Sequence, residues 1–299
     1  KELANIDEFP ICLDTKDDDE IISIVKRIAP VFGGINLEDI AAPRCFKIER
    51  ELQDLGIPVF HDDQHGTAVV TLAALINALK VVGKNITEAT VVINGSGAAG
   101  IAVAKLLGCV DEDSKQCIPV RDIILCDTKG AIYQGRPDLN PEKEELAKHT
   151  NKLKKKGTLG DVLRGADVFI GLSKPNTLTG ADIKNMSADA IVFAMANPTP
   201  EIMPDEALKA GVGIIGTGRS DFPNQINNSL AFPGIFRGAL DAKAMRITND
   251  MKIAAAHAIA NAIKPTKDNI LPYTLYKPVH MAVAKAVKEA AIKGGVCRA

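Results

Sequence analysis

The sequence first lacks an excess of charge of either sign: 36 Lys and Arg stand against 37 Asp and Glu, for a net charge of −1. That balance offers no general attraction to nucleic acid or to acidic membranes, so neither is expected as a partner. The densest basic run, Lys152 to Lys156, continues a helical pattern begun at Glu142 and is expected to be a solvated helix end, where cations suit the helix dipole. Paired cysteine motifs are also lacking. Cys12, Cys45, Cys109, Cys117, Cys126 and Cys297 form no Cys-x-x-Cys and show no regular spacing. In a chain of 299 residues they read as reduced thiols in a reducing compartment, which points to the cytoplasm and away from a disulfide framework or a zinc site. None has a feature that supports a nucleophilic role, and free cysteine commonly packs as a small hydrophobe.

Long apolar runs are missing as well. The longest, residues 67–82, is interrupted by Thr71, Asn77 and Lys80 and stops at Gly83, so it reads as a buried helix too short to span a bilayer. There is no internal repeat and no low-complexity linker. The chain starts at Lys1 without a methionine, so the lack of a targeting peptide proves little. What is present, 46% apolar and 24% charged residues over this length, suits an ordinary globular protein of two domains.

The first part alternates strand and helix signals. Phe9-Pro10-Ile11-Cys12-Leu13 is a short apolar run, and Asp17 to Glu20 then mark the first turn of a helix carrying Ile21, Ile24, Val25 and Ile28. A second helix follows Pro43, with Cys45, Ile48, Leu52 and Leu55 on one face and Gly56 as its stop. Ile57-Pro58-Val59-Phe60 reads as a strand. From residue 90 onward, apolar strands without polar alternation (90–93, 123–126, 167–170, 190–193, 212–215) alternate with helices. That pattern predicts an α/β fold with a Rossmann-like, doubly wound parallel sheet covered on both faces. Helices close the chain over 250–263 and 278–293.

Directly after the strand at 90–93 comes Asn94-Gly95-Ser96-Gly97-Ala98-Ala99-Gly100, which opens a helix. Gly-x-Gly-x-x-Gly alone is a weak signal, but the strand before and the helix after supply the context a dinucleotide site requires. Gly95 permits the tight turn, Gly97 the approach of a pyrophosphate and Gly100 the packing of helix on strand. Ser96, Ala98 and Ala99 complete the loop. The next strand ends at Asp127, where a carboxylate can bond the adenine ribose; a polar insertion at 111–119 accounts for the long spacing. Asp127 favours the free 2′-hydroxyl of NAD, whereas Lys129 suits the 2′-phosphate of NADP, and the two are evenly balanced.

Two acidic pairs precede this unit. Glu38-Asp39 follows Gly33-Gly34, and Asp62-Asp63 follows the strand at 57–60. Hard cations such as Mg²⁺ or Mn²⁺ take oxygen ligands of this kind. Either pair alone could equally cap the helix that follows it. His61-Asp62-Asp63-Gln64-His65 imitates a zinc-helix motif, but a helix starting only near Gly66 leaves the two histidines off a common face. His149, His257 and His280 fall in helical patterns that need no catalytic role.

Together these stretches resemble the malic enzymes, in particular the shorter bacterial type. The likeness is carried by Phe9-Pro10-Ile11-Cys12-Leu13-Asp14-Thr15, Asn36-Leu37-Glu38-Asp39-Ile40, Ala42-Pro43-Arg44-Cys45-Phe46, Val59-Phe60-His61-Asp62-Asp63-Gln64-His65-Gly66-Thr67-Ala68, the glycine loop, Ala196-Asn197-Pro198-Thr199-Pro200-Glu201 and Asp221-Phe222-Pro223-Asn224-Gln225-Ile226-Asn227-Asn228. It is collinear from residue 1 to about 295. It implies oxidative decarboxylation of L-malate to pyruvate with NAD or NADP and Mg²⁺ or Mn²⁺. It implies Glu38, Asp39 and Asp63 as metal ligands and Asp62 beside the general base. Asn197 and Asn228 would hold malate oxygens, with Asn197 and Asn227 also close to the nicotinamide; on residues alone these asparagines read as turn formers. A homodimer is a family-based expectation.

The resemblance also implies a substrate and metal domain from 1–61 and 229–299, a dinucleotide domain from 62–228, and a site in the cleft between them. The family's tyrosine acid and lysine base would precede residue 1, and Tyr133, Tyr273 and Tyr276 fall outside the tyrosine's motif. The polypeptide by itself is therefore expected to be crippled. Two other readings explain part of the pattern: a different two-domain nicotinamide dehydrogenase, which leaves the acids without a task, and a non-catalytic dinucleotide-binding module.

Overall fold

Along the strand Thr90–Asn94, Val91 and Ile93 face one apolar layer while Val92 faces another. The same division splits Ile123 and Leu125 from Ile124 and Cys126, and Ile191 and Phe193 from Val192 and Ala194. Successive strand side chains point to opposite faces, so a strand apolar at every position needs cover on both. A computed structural model, which describes residues 1–110, 114 and 116–298, supplies that cover.

The elements in chain order are α1 Asp18–Ile28, β1 Ile35–Leu37, α2 Arg44–Leu52, β2 Val59–His61, α3 Asp62–Val82, β3 Thr90–Asn94, α4 Ala98–Gly108, β4 Asp122–Asp127 and β5 Gly130–Ala131. They continue with α5 Pro141–Leu146, α6 Leu159–Leu163, β6 Val168–Gly171, α7 Gly180–Lys184, β7 Ile191–Ala194, α8 Pro204–Lys209 and β8 Ile214–Thr217. Helices α9 Phe232–Asp241, α10 Asn249–Asn261 and α11 Lys277–Lys293 end the chain.

The main sheet runs β5-β4-β3-β6-β7-β8, parallel apart from the short antiparallel edge strand β5. Strand order reverses between β3 and β6. In open α/β sheets the crevice at the carboxyl ends of such a pair is where ligands bind. Helices α3 and α4, with the α9–α11 group, cover one face; α6, α7 and α8 cover the other. The doubly wound expectation is met.

A second, smaller layer stands before it. β1 and β2 pair in parallel, with Ile35 opposite Val59 and Leu37 opposite His61. α1 and α2 pack on them through Ile21, Ile22, Val25, Ile48 and Leu52. The acidic first turn of α1 does more than complement its dipole: Asp18 accepts from Arg44 at 2.7 Å and Asp19 from Lys47 at 2.6 Å, which ties α1 to α2.

Several expectations need correction. Residues 9–13 form no strand; Phe9 and Ile11 are exposed, and Leu13 alone of the run packs against the smaller layer. Lys152 to Lys156 is not a helix end. α5 stops at Leu146, and Asn151, with φ near +49°, turns the chain so that its N–H reaches the carbonyl of Ile123. The basic run is thus a loop pinned to the sheet. Cys109 and Cys117 are disulfide-bonded, their Cα atoms 5.9 Å apart, so not all six thiols are free. Cys109 takes a left-handed conformation at the end of α4, and Val120 donates back to Leu107; this return brings together two cysteines that no sequence motif pairs. The insertion at 111–119 lies partly outside the described residues.

Helix α3 begins at Asp62, four residues before Gly66, and reaches 21 residues. By length and composition it could cross a membrane, but 67% of its apolar window is buried in the protein, against α4 and α10. Asn77, in its middle, is fully buried and donates to the carbonyls of Ala260 and Ile270, both at 2.9 Å. A polar residue placed to satisfy two backbone acceptors ties α3 to α10 and to the segment that follows it.

Candidate active site

The glycine loop joins β3 to α4 at the crevice. Gly95 has φ of +121°, and a Cβ there would lie 2.4 Å from the Leu172 carbonyl oxygen; a Cβ on Gly100 would lie 1.8 Å from the Gly95 oxygen. Neither position accepts a side chain. Gly97 differs: a Cβ there meets nothing within 4 Å. It is exposed and caps α4, so the space it leaves is open at a helix N-terminus, where unpaired N–H groups attract phosphate. Ser96 lies buried between them, and Ala98 and Ala99 form the first turn. Asn94 steadies the loop by donating to Ser173 Oγ and Thr177 Oγ1, both at 3.0 Å.

Asp127 ends β4 and is well occupied. Its Oδ1 accepts from the Lys129 N–H at 3.0 Å, and its Oδ2 from Arg136 at 2.5 Å and Lys143 at 3.0 Å. Burial pushes the carboxyl up, but the bonds from Arg136, Lys129 and Lys143 outweigh it and hold the group at about 2. The carboxylate is fixed and ionised, and its three donors take three of roughly four acceptor positions, which leaves one for a ribose hydroxyl. The Lys129 ammonium pairs with Asp138 at 2.6 Å.

The acidic pairs converge. Glu38 and Asp39 follow β1, Asp62 and Asp63 open α3, and the β1–β2 pairing sets the two segments side by side. Asp39 takes φ of +57°, and its N–H donates to Asp63 Oδ2 at 3.0 Å. Asn36 donates to Glu38. Asp62 is buried; its Oδ2 accepts from Asn228, and its Oδ1 has no partner among the described residues. Gly66, one turn along α3, makes room for it: a Cβ there would stand 1.8 Å from Asp62 Oδ1 and 3.2 Å from Asn228 Cβ. Burial, then the charges of Glu38 and Asp63, push Asp62 up to about 7. Burial and the charges of Asp63 and Asp39 raise Glu38, against the bond from Asn36. The cluster is therefore a pocket of mutually repelling carboxylates with an orphaned buried oxygen, an environment a hard cation relieves. Among the described residues, no three Asp, Glu, His or Cys side chains already stand in ligating array. The donor chemistry of these oxygen groups fits a divalent cation.

The histidines flanking the acids belong elsewhere. Although α3 starts earlier than expected, His61 still lies outside it, as the last residue of β2 and the extended N-cap of α3, and the partners of the two histidines separate them further. His61 Nε2 lies 3.3 Å from the Ile40 carbonyl oxygen, whereas His65 sits 2.7 Å from Glu49 and 3.0 Å from Lys252.

Of the asparagines, Asn228 reaches the acid cluster directly. Asn227 Oδ1 accepts from the Ser229 N–H at 2.9 Å, the turn role its residue type suggests. Asn197 is exposed on the loop after β7, and a Cβ on Gly218 would come within 2.9 Å of its amide nitrogen. Asn36, Gly66 and Glu201 lie in the resembling stretches, but sequence alone assigns them no role. What they do depends on contacts between segments far apart in sequence, which spacing does not carry.

Comparison with known proteins supplies the family. The family model described as "Malic enzyme, NAD binding domain" matches residues 64–292, and "Malic enzyme, N-terminal domain" matches 13–53. The chain belongs to the malic enzyme family. Within that family it is 55% identical to the bifunctional malic/malolactic enzyme of Bacillus subtilis, over 100% of this chain and 72% of that protein. It is 55% identical to the NAD-dependent malic enzyme of Geobacillus stearothermophilus, over 100% of this chain and 61% of that one. The crystal structure of the NAD-dependent malic enzyme of Thermotoga maritima superposes with a TM-score of 0.91 at 47% identity, covering 96% of this chain and 74% of that one.

Proposed function

We propose that this chain takes part in the oxidative decarboxylation of L-malate to pyruvate and CO₂, with reduction of NAD or NADP and dependence on Mg²⁺ or Mn²⁺. The observation that carries this reading is the acid cluster of exposed Glu38 and Asp39, half-buried Asp63 and buried Asp62, bonded through Asn228 to the segment that follows β8 of the dinucleotide fold. A plain dinucleotide-binding module has no use for such a cluster.

Glu38, Asp39 and Asp63 would hold the cation. Once bound, it supplies Lewis-acid charge for a substrate rich in oxygen. Asp62, kept in place by Asn228, sets the charge beside the substrate. Asn197 and Asn228 would hold malate oxygens, and Asn197 and Asn227 would lie close to the nicotinamide. Gly95 to Gly100 would cradle the pyrophosphate, with Asp127 and Lys129 at the adenine ribose. Hydride transfer is the cofactor's chemistry; the protein's share is placement. The site would occupy the cleft between a domain of 1–61 with 229–299 and one of 62–228, in a homodimeric enzyme of the cytoplasm.

The test is formation of NADH and NADPH from L-malate, with and without Mn²⁺, on this chain and on one extended upstream to include the expected tyrosine and lysine. Metal-dependent reduction with pyruvate as product by the extended chain supports the reading. Because the Bacillus relative is named a malic/malolactic enzyme, lactate is measured alongside pyruvate. Binding of a dinucleotide by both chains with turnover by neither would replace the enzyme with a binding module.

A further inference from the structure

Glu201 is fully buried, and among the described residues no cationic side chain pairs with its carboxylate. Its two oxygens serve two different loops. Oε1 accepts from the Ser173 N–H at 3.1 Å, just past β6, and Oε2 accepts from the Ala196 N–H at 3.0 Å, just past β7. Its backbone joins in, since the Glu201 carbonyl accepts from the Leu178 N–H at 3.1 Å. Gly171 is the matching gap: a Cβ there would stand 2.3 Å from the Glu201 carboxyl carbon.

Both clamped loops border the crevice. Ala196 immediately precedes Asn197, while Ser173 accepts from Asn94 and Leu172 abuts Gly95 of the glycine loop. A buried carboxylate without a counter-charge is unfavourable, and burial does raise its proton affinity. A single structural bond could be made more cheaply by a neutral group. Two diverging N–H groups, each needing an acceptor, call for two acceptor oxygens on one side chain, and an amide offers one.

We propose that Glu201 is a positioning residue: it splints the loops after β6 and β7 so that Asn197 and the glycine loop face one dinucleotide. This rests on the reading of the crevice as a dinucleotide site.

The test uses the 299-residue chain with Glu201→Gln and Glu201→Asp, and with Val162→Ala as a buried control in α6, away from the crevice. NAD and NADP affinity and amide hydrogen exchange are measured well below the melting temperature of every variant. Glu201→Gln is expected to weaken dinucleotide binding about tenfold and to speed exchange at Ser173 and Ala196 at least tenfold, with Ile170 and Phe193 unchanged. Glu201→Asp keeps both oxygens and is expected to recover part of each effect. Val162→Ala is expected to lower the melting temperature without altering affinity. If Glu201→Gln melts earlier but binds as the parent does and protects Ser173 and Ala196 equally, Glu201 is structural and the proposal is wrong. If the parent chain binds neither dinucleotide, the reading of the crevice fails, and the exchange rates still decide whether the splint exists.

Discussion

Replacing Gly66 with alanine sets two well-known effects against each other. In an unconstrained helix interior, Gly→Ala stabilises by about 1 kcal/mol. In α3 the new methyl would lie 1.8 Å from Asp62 Oδ1 and 2.9 Å from Asp62 Cγ, so the carboxylate must turn away. Turning breaks its bond with Asn228, and a hydrogen bond to a charged group contributes about 1.5–3 kcal/mol. The balance is a net loss of about 0.5–2 kcal/mol, which in a protein of this size lowers the melting temperature by only a few degrees. Function should suffer more than stability, because the displaced group lies inside the acid cluster. Malate turnover by the upstream-extended chain should fall at least a hundredfold, and Mn²⁺ binding should weaken. Gly180→Ala is the control, since its Cβ would meet Ala210 at an ordinary 3.5 Å. Calorimetry and steady-state kinetics on both variants decide the matter. Normal turnover by Gly66→Ala with a raised melting temperature would refute the placement of Asp62.

Three further outcomes are expected. Gly97→Ala should melt like the parent, because the methyl meets no protein atom, yet bind NAD and NADP at least tenfold more weakly by titration calorimetry; equal affinity would remove the pyrophosphate from that loop. Asp127 has its carboxyl depressed from the usual 3.8 to about 2, so its contribution to stability is complete above about pH 4 and lost as pH falls through 2. After solvent screening this amounts to about 1 kcal/mol, and urea titrations from pH 2 to 6 should show the Asp127→Asn variant losing that part of the pH dependence. Phe169→Ala, in the second core, should cost about 3–5 kcal/mol in urea unfolding; a loss below 1 kcal/mol would mean that this face of the sheet is not close-packed.

The central strand–helix alternation was legible because strands buried on both faces, such as β6 and β7, carry no polar residue to confuse their period. The glycine loop was legible for the same local reason: strand, turn and helix are contiguous. Failures came where a distant contact decides. The start of α3 was misplaced because Asp62 and Asp63 look like a cap, whereas the cap is His61 and the acids form the first helical turn. The apolar run at 9–13 has strand composition but no partner strand among the described residues. The Cys109–Cys117 bond and the pinned loop at Lys152 to Lys156 depend on how the chain turns back on α4 and β4. In the site, the acidic pairs stood out by type and position, while their roles were what the resemblance implied. Gly66 and Glu201 were not, because one is defined by the space it leaves and the other by two loops that meet only in the folded chain.

The most direct measurement is Mn²⁺ binding, read by electron paramagnetic resonance near neutral pH, to the parent chain and to Glu38→Gln and Asp63→Asn. The acid cluster as the metal site predicts one tight ion per chain, weakened at least a hundredfold in either variant, with dinucleotide affinity unchanged. Variants that bind Mn²⁺ as the parent does would contradict it.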